Sequence, residues 1–154
     1  MSRWSSRRRE FREILETQHC VYPASIYDPI SARIAENVGY EMGMYAGSLA
    51  ALAVLAAPDL ILLTQTEFAQ QAHRIGRASE LPLFADADHG YGNALNVKRT
   101  VEELEFAGLA GLAIEDTDLP QPFGQEGKAS LLSMEEGVGK MRAAIEGRAD
   151  PEMV

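Results

Sequence analysis

Helix-start signals and short apolar runs alternate along the whole chain, and this alternation limits the fold more than any other feature. Asp28-Pro29 reads as an N-cap followed by proline at the first helical position, and Ile30, Ile34 and Val38 recur along that helix until Gly39 stops it. Thr64-Gln65-Thr66-Glu67 is a capping box for a helix with Phe68, Ala72 and Ile75 on one face. Asn93 begins another helix, carrying Val97, Val101 and Leu104. A second capping box, Ser133-Met134-Glu135-Glu136, opens a last one with Val138, Met141 and Ile145. Extended runs lie between these helices, at residues 19–24, 40–46, 81–85 and 109–114. The last is continuously hydrophobic, as suits a parallel strand covered on both faces. Strand and helix in strict alternation is the order of an α/β protein with a parallel sheet.

A leading helix precedes these units, with Phe11, Ile14 and Leu15 as its apolar edge. Residues 47–57 are a stretch of small residues ending at Pro58, and residues 59–63 fit more than one element type. The chain of 154 residues, 46% hydrophobic, supports one domain with a substantial core but not two. Four βα units could form a small open sheet. They are also half of an eight-stranded barrel, which takes about 250 residues when complete. The chain stops at Asp150-Pro151-Glu152-Met153-Val154, where a fifth strand would begin. The expectation is a single domain over residues 1–154, the first four βα units of a TIM-type barrel.

The net charge of −9 argues against nucleic acid as a partner, because phosphate binding needs concentrated Lys and Arg. Arg3, Arg7, Arg8, Arg9 and Arg12 stand against Glu10 alone near the start, and this run reads as the solvated face of the opening helix. Cys20, the single cysteine, cannot form an internal disulfide and reads as a small core residue within the first strand. No charged start leads into an apolar stretch of membrane or signal length. A soluble protein of the reducing cytoplasm, without a membrane partner, is expected.

Chemistry concentrates in Asp86-Ala87-Asp88-His89-Gly90-Tyr91-Gly92-Asn93, just after the third strand. The carboxyl ends of strands are where α/β folds build sites. Asp86 and Asp88 are two apart, so in an extended segment their side chains point the same way, and two converging carboxylates without a neighbouring Lys or Arg need a cation. Oxygen ligands and retained waters fit Mg2+ better than Zn2+. Taken alone, Asp and Gly after a strand are also ordinary turn formers. Glu115-Asp116 ends the neighbouring strand, and Asp59 follows the second, so acids from three consecutive units are positioned to share one ion. Gly47-Ser48-Leu49 sits at a strand-to-helix corner, where backbone N–H groups can face an anion. His19 and His73 read as packing or solvent-facing residues, and His89 as a structural or supporting one.

At these residues the sequence resembles the phosphoenolpyruvate mutase/isocitrate lyase superfamily, and within it the oxaloacetate decarboxylase branch. The matching landmarks are Tyr45-Ala46-Gly47-Ser48-Leu49, Pro58-Asp59, Leu63-Thr64-Gln65-Thr66-Glu67, Asp86-Ala87-Asp88-His89-Gly90-Tyr91-Gly92 and Ile114-Glu115-Asp116. They cover nearly the whole chain in order. The resemblance implies an α/β barrel with Asp86 as direct Mg2+ ligand (Mn2+ being an alternative) and with Asp59, Asp88 and Glu115 around the ion, largely through its waters. It implies that Tyr45, Gly47, Ser48 and Leu49 form the substrate-carboxylate site, and that the chemistry is centred on the metal rather than on a catalytic side chain. It also implies an α-keto acid substrate, decarboxylation of oxaloacetate to pyruvate and CO2, and a homo-oligomer in full-length relatives.

Two departures refine this expectation. Lyase members carry a Lys-Cys-Gly-His type motif after the fourth strand, whereas here that loop reads Pro120-Gln121-Pro122-Phe123-Gly124-Gln125, which looks like the decarboxylases. Relatives also draw a substrate-binding arginine from the fifth strand, beyond Val154. The chain is therefore expected to keep the metal-binding acids with little or no activity alone, and to self-associate or bind a complementary half. The competing readings are another lyase or phosphonomutase-type reaction on an α-keto acid, and a non-catalytic half that assembles with a partner chain.

Overall fold

Side chains that accept from the first free N–H groups of a helix set where the helices begin. In the computed structural model, which describes residues 3–18, 20–124, 127 and 130–154, Asp28 accepts from the Ser31 N–H at 2.7 Å, and the Ser31 hydroxyl accepts in return from the Asp28 N–H. Thr64 with Glu67 and Asn93 with Asn96 form the same reciprocal pair. Ser133 accepts from the Glu136 N–H without the return bond, so the last helix has half of the expected box. The described elements are α1 (Arg3–Leu15), β1 (Ala24–Ser25), α2 (Pro29–Val38), β2 (Gly43–Tyr45), α3 (Gly47–Leu55), α4 (Gln65–Ala78), β3 (Leu83–Asp86), α5 (Ala94–Ala107), β4 (Gly111–Ala113) and α6 (Met134–Gly147). Gly39 ends α2 in the left-handed conformation, as its position suggests.

The four strands form one parallel sheet in the order β1-β2-β3-β4, with Ala24 opposite Gly43, Met44 opposite Phe84 and Ala85 opposite Leu112. A doubly wound sheet would reverse direction part-way. Right-handed crossovers that always add the next strand on the same side place their helices on one face, the arrangement of a barrel wall. Val154 continues this pattern, for its N–H donates to the Ala110 carbonyl and its own carbonyl accepts from the Leu112 N–H, each at 3.0 Å. It lies along the free edge of β4 as the next parallel strand would.

Ile26, Tyr45, Leu83 and Ala85 meet Ala32, Phe68, Ala72, Ile75, Val101 and Leu104 in the core between sheet and helices. On the opposite face Phe84 is stacked on Phe11 of α1, with ring centroids 5.9 Å apart. Gly111 makes room for that ring, since a methyl there would lie 2.7 Å from Phe11 Cε1. Thus α1 contributes Phe11 to the sheet face opposite that core.

Several expectations are corrected. The first strand occupies Ala24–Ser25 rather than 19–24; Cys20 precedes it and is exposed rather than in the core, while His19 lies outside the described residues. Two of the α1 arginines read as a solvated face, Arg7 and Arg8, are buried, whereas Arg9 is exposed as expected. Arg8 donates to the Leu109 and Glu105 carbonyls and to the Asp150 carboxylate at 3.0, 2.6 and 2.8 Å, and Arg7 donates to the Gly76 carbonyl. Glu105 accepts from the N–H groups of Ala149 and Asp150, so α1, α5 and the segment after α6 share one ionic network. The apolar stripes of α2 (Ile30, Ile34, Val38) and α6 (Val138, Met141, Ile145) are exposed, and Ala32, Ala35, Lys140 and Gly147 face inward instead. Leu15 is also exposed.

Candidate metal and carboxylate site

The chain leaves β3 at Asp86 and crosses the strand ends through residues 87–91. The Asp88 N–H donates to Asp86 Oδ1 at 3.1 Å, and the Asp88 carbonyl accepts from the Glu115 N–H at 2.7 Å. Asp88 has a left-handed backbone, φ 48°, so the two aspartates approach through a turn and not through the alternation of an extended strand. The Glu115 carboxylate accepts from the Thr117 hydroxyl at 2.9 Å. Asp59 lies in the loop between α3 and α4. It lines a cleft of about 470 Å3 with Leu60, Ile61, Asp88, Glu115 and Pro120. Asp86 feels the charges of Glu115 and Asp59 from beside it.

None of these four acids makes an ion pair with Lys or Arg among the described residues. The consequence is visible in proton affinity. Burial, followed by the charges of Asp86, Asp59 and Glu115, pushes the Asp88 carboxyl up to about 7. Burial also raises Asp86, against the lowering effect of the Asp88 N–H. Mutually repelling carboxylates without an ion-pair partner among the described residues form a donor set suited to a hard divalent cation. Among the described residues no three of the acids converge into a closed cage of direct ligands.

The N-terminus of α3 faces the same place. Ala46 caps this helix without a side-chain bond, and the first intrahelical bond is that of the Ala50 N–H. The N–H groups of Gly47, Ser48 and Leu49 therefore have no helical partner. Gly47 is buried directly against the Asp88 carboxylate, whereas Ser48 is exposed and Leu49 half-buried. Tyr45 is fully buried and stacked on Phe68 at 4.5 Å, its hydroxyl without a hydrogen-bond partner. Burial raises its phenol above the ordinary tyrosine range.

The far wall of the cleft is the loop after β4. It is pinched at its base by an antiparallel bridge between Thr117 and Leu131, has a cis Leu119-Pro120 peptide and carries a fully exposed Phe123. Gln125 lies outside the described residues. His73 is half-buried on α4. His89 is buried beside Tyr91, and its imidazole is held below the usual histidine range by burial and by Lys140.

Sequence reasoning gave no role to four contributors. Tyr91 has a positive φ of 63° and a buried hydroxyl without a partner, and its phenol is raised first by burial and then by Asp88. Lys140 and Thr100 donate to the carbonyls of His89 and Gly90. Ile61, a β-branched residue at φ 56°, joins Asp88 and Tyr91 as the third left-handed non-glycine residue of this region. Such backbone strain costs about 1–3 kcal/mol per residue and concentrates at functional sites. Tyr91 lies inside the cluster of residues 86–93 already singled out, between two glycines, whereas nothing local signals the other three.

Residues 11–154 match the phosphoenolpyruvate phosphomutase family. The chain belongs to that family. Relatives similar to it include an oxaloacetate decarboxylase of Pseudomonas fluorescens (strain SBW25), 61% identical over 149 residues, 97% of this chain and 51% of the relative. Another is an oxaloacetate decarboxylase of Rhodopseudomonas palustris (strain BisB18), 58% identical over 151 residues, 98% and 52% of the two chains. Family folds in solved structures superimpose closely. Phosphonopyruvate hydrolase in complex with oxalate and Mg2+ matches with a TM-score of 0.84 at 30% identity, over 100% of this chain and 51% of that one. Oxaloacetate acetylhydrolase with the inhibitor 3,3-difluorooxalacetate gives 0.84 at 30% identity, over 93% and 49%. The chain spans about half the length of the curated relatives it matches.

Proposed function

We propose that residues 1–154 form one domain, the first half of an eight-stranded barrel, and carry the cation- and carboxylate-binding part of a decarboxylase acting on oxaloacetate. The observation that carries this reading is the placement of the Asp88 carboxylate against the uncapped N-terminus of α3. A cation site and an anion site are thereby neighbours, as a chelated α-keto acid requires. Asp86 would hold Mg2+, or Mn2+ in its place, directly, with Asp59, Asp88 and Glu115 bonding its waters. The N–H groups of Gly47, Ser48 and Leu49 would hold the substrate carboxylate, aided by the helix dipole. When bound, the cation supplies polarisation of the C2 carbonyl and stabilises the charge that develops as the C3–C4 bond breaks and CO2 leaves. The cytoplasmic setting expected from the sequence suits such a substrate.

The names of the decarboxylase relatives and the oxalate and Mg2+ of the phosphonopyruvate hydrolase complex support this reading. The arginine that the resemblance places on a fifth strand is not among residues 1–154, so turnover by this chain alone is expected to stay near the rate with free Mg2+. A second reading, a half that assembles with a partner chain without catalysing on its own, is favoured by the exposed apolar stripes of α2 and α6. Mixing this chain with the C-terminal half of the Pseudomonas fluorescens relative separates the two. The decarboxylase reading predicts CO2 release from oxaloacetate by the mixed complex, abolished by Asp86→Ala. A folded complex without turnover, or an equally active Asp86→Ala, contradicts it.

A further inference from the structure

The loop that carries Asp86 and Asp88 is held from three sides. Within the sheet, the Ala87 N–H donates to the Ala113 carbonyl at 3.0 Å, and the Gly90 N–H donates back to the Ala87 carbonyl at 2.9 Å. From α5, the Thr100 hydroxyl donates to the Gly90 carbonyl at 3.1 Å. From α6, Lys140 Nζ donates to the His89 carbonyl at 2.6 Å. Lys140 is 2% exposed, and it is the buried charged residue of a helix whose apolar stripe faces outward. Its ammonium is surrounded by Glu136 one turn back and by Asp116 and Asp118 of the loop after β4. Burying a lysine is costly, and a methionine would pack its stem as well. What a methionine cannot do is donate to a buried carbonyl next to Asp88.

We propose that Lys140 is a positioning residue for the acid loop: by holding the His89 carbonyl it maintains the left-handed turn that aims the Asp88 carboxylate at the N-terminus of α3. The proposal rests on the reading of Asp86 and Asp88 as cation-binding groups. Lys140 touches neither cation nor substrate. It links the loop after β3 to the helix after β4, so that two neighbouring βα units keep one geometry.

The test compares the full 154-residue chain with Lys140→Met and Lys140→Arg, reading Mn2+ affinity by electron paramagnetic resonance and amide exchange of Gly90 and Glu115 by NMR. Loss of a group that orients ligands lowers metal affinity by about 10–100-fold, and a loss in that range is expected for Lys140→Met. Exchange at Gly90 and Glu115 is expected to accelerate while the β2 and β3 amides keep their protection. Lys140→Arg, which keeps a charged donor, is expected to restore both. If Lys140→Met does not fold, Lys140→Gln takes its place, being too short to reach the His89 carbonyl. Wild-type Mn2+ affinity and loop exchange in the folded variant overturn the proposal, as does acceleration spread evenly over the sheet or a Lys140→Arg variant that recovers neither. A wild-type chain that binds no Mn2+ removes the cation reading, and amide exchange alone then decides the role of Lys140.

Discussion

A methyl group at Gly47 would lie 2.7 Å from Asp88 Oδ2, because the Asp88 carboxylate lies against the first turn of α3. The smallest residue at the head of one βα unit is matched to an acid from the next. Gly47→Ala is therefore expected to push the Asp88 carboxylate out of place. Overpacking of this kind costs about 1–3 kcal/mol, and the variant should also lose most of the rise in Tm that Mg2+ gives the parent. Thermal unfolding with and without Mg2+ checks both effects; a Gly47→Ala protein with the parental Mg2+ response would show that the contact has no part in cation binding.

The pH dependence of stability follows from the same acid. Asp88 has its folded pKa raised from 3.8 to about 7, mainly by burial. Its contribution is thus favourable in full below the unfolded pKa, near pH 4, and is lost as pH rises through about 7. In the Mg2+-free protein, the Tm of the parent is expected to fall between pH 5 and 8 relative to that of Asp88→Asn. Added Mg2+ competes with the proton, so its stabilising effect should be larger at pH 8 than at pH 6. Parallel Tm profiles for the two proteins across this range would contradict the assignment.

At the other end of the strands, Arg8 is the centre of a buried network with Glu105 and Asp150. Removing one member of a buried ion pair leaves the others unpaired and typically costs about 3–5 kcal/mol. Arg8→Met is expected to destabilise the protein to that extent in urea unfolding, without altering metal affinity per folded molecule. A change below about 1 kcal/mol, the range of exposed pairs, would mean that the network is solvated in solution.

Local signals were readable wherever one segment decides its own structure. The caps at Asp28, Thr64 and Asn93 and the buried faces Phe68-Ala72-Ile75 and Val97-Val101-Leu104 are stated by neighbouring residues in the chain. Periodicity names the apolar face of a helix but not what covers it, which is why Ile30, Ile34 and Val38 repeat regularly and yet are exposed. The burial of Arg7 and Arg8 depends on carbonyls about seventy and a hundred residues away, which no charge count reveals. The site divides in the same way. Asp86, Asp88 and Glu115 stand out in the sequence because they lie at or just after strand ends, whereas Lys140 and Thr100 reach the acid loop from separate helices. Asp88 itself reaches its neighbours through a left-handed turn that the spacing of two residues does not state.

The most direct test of the account is equilibrium binding of Mn2+ to the purified chain, with and without oxalate as a stand-in for the α-keto acid, beside Asp86→Ala. The account predicts one bound Mn2+ per chain, tighter binding in the presence of oxalate, and loss of both in Asp86→Ala. A parent chain that binds no Mn2+, or an Asp86→Ala variant that binds it equally well, would contradict the claim that these acids and the head of α3 form one site.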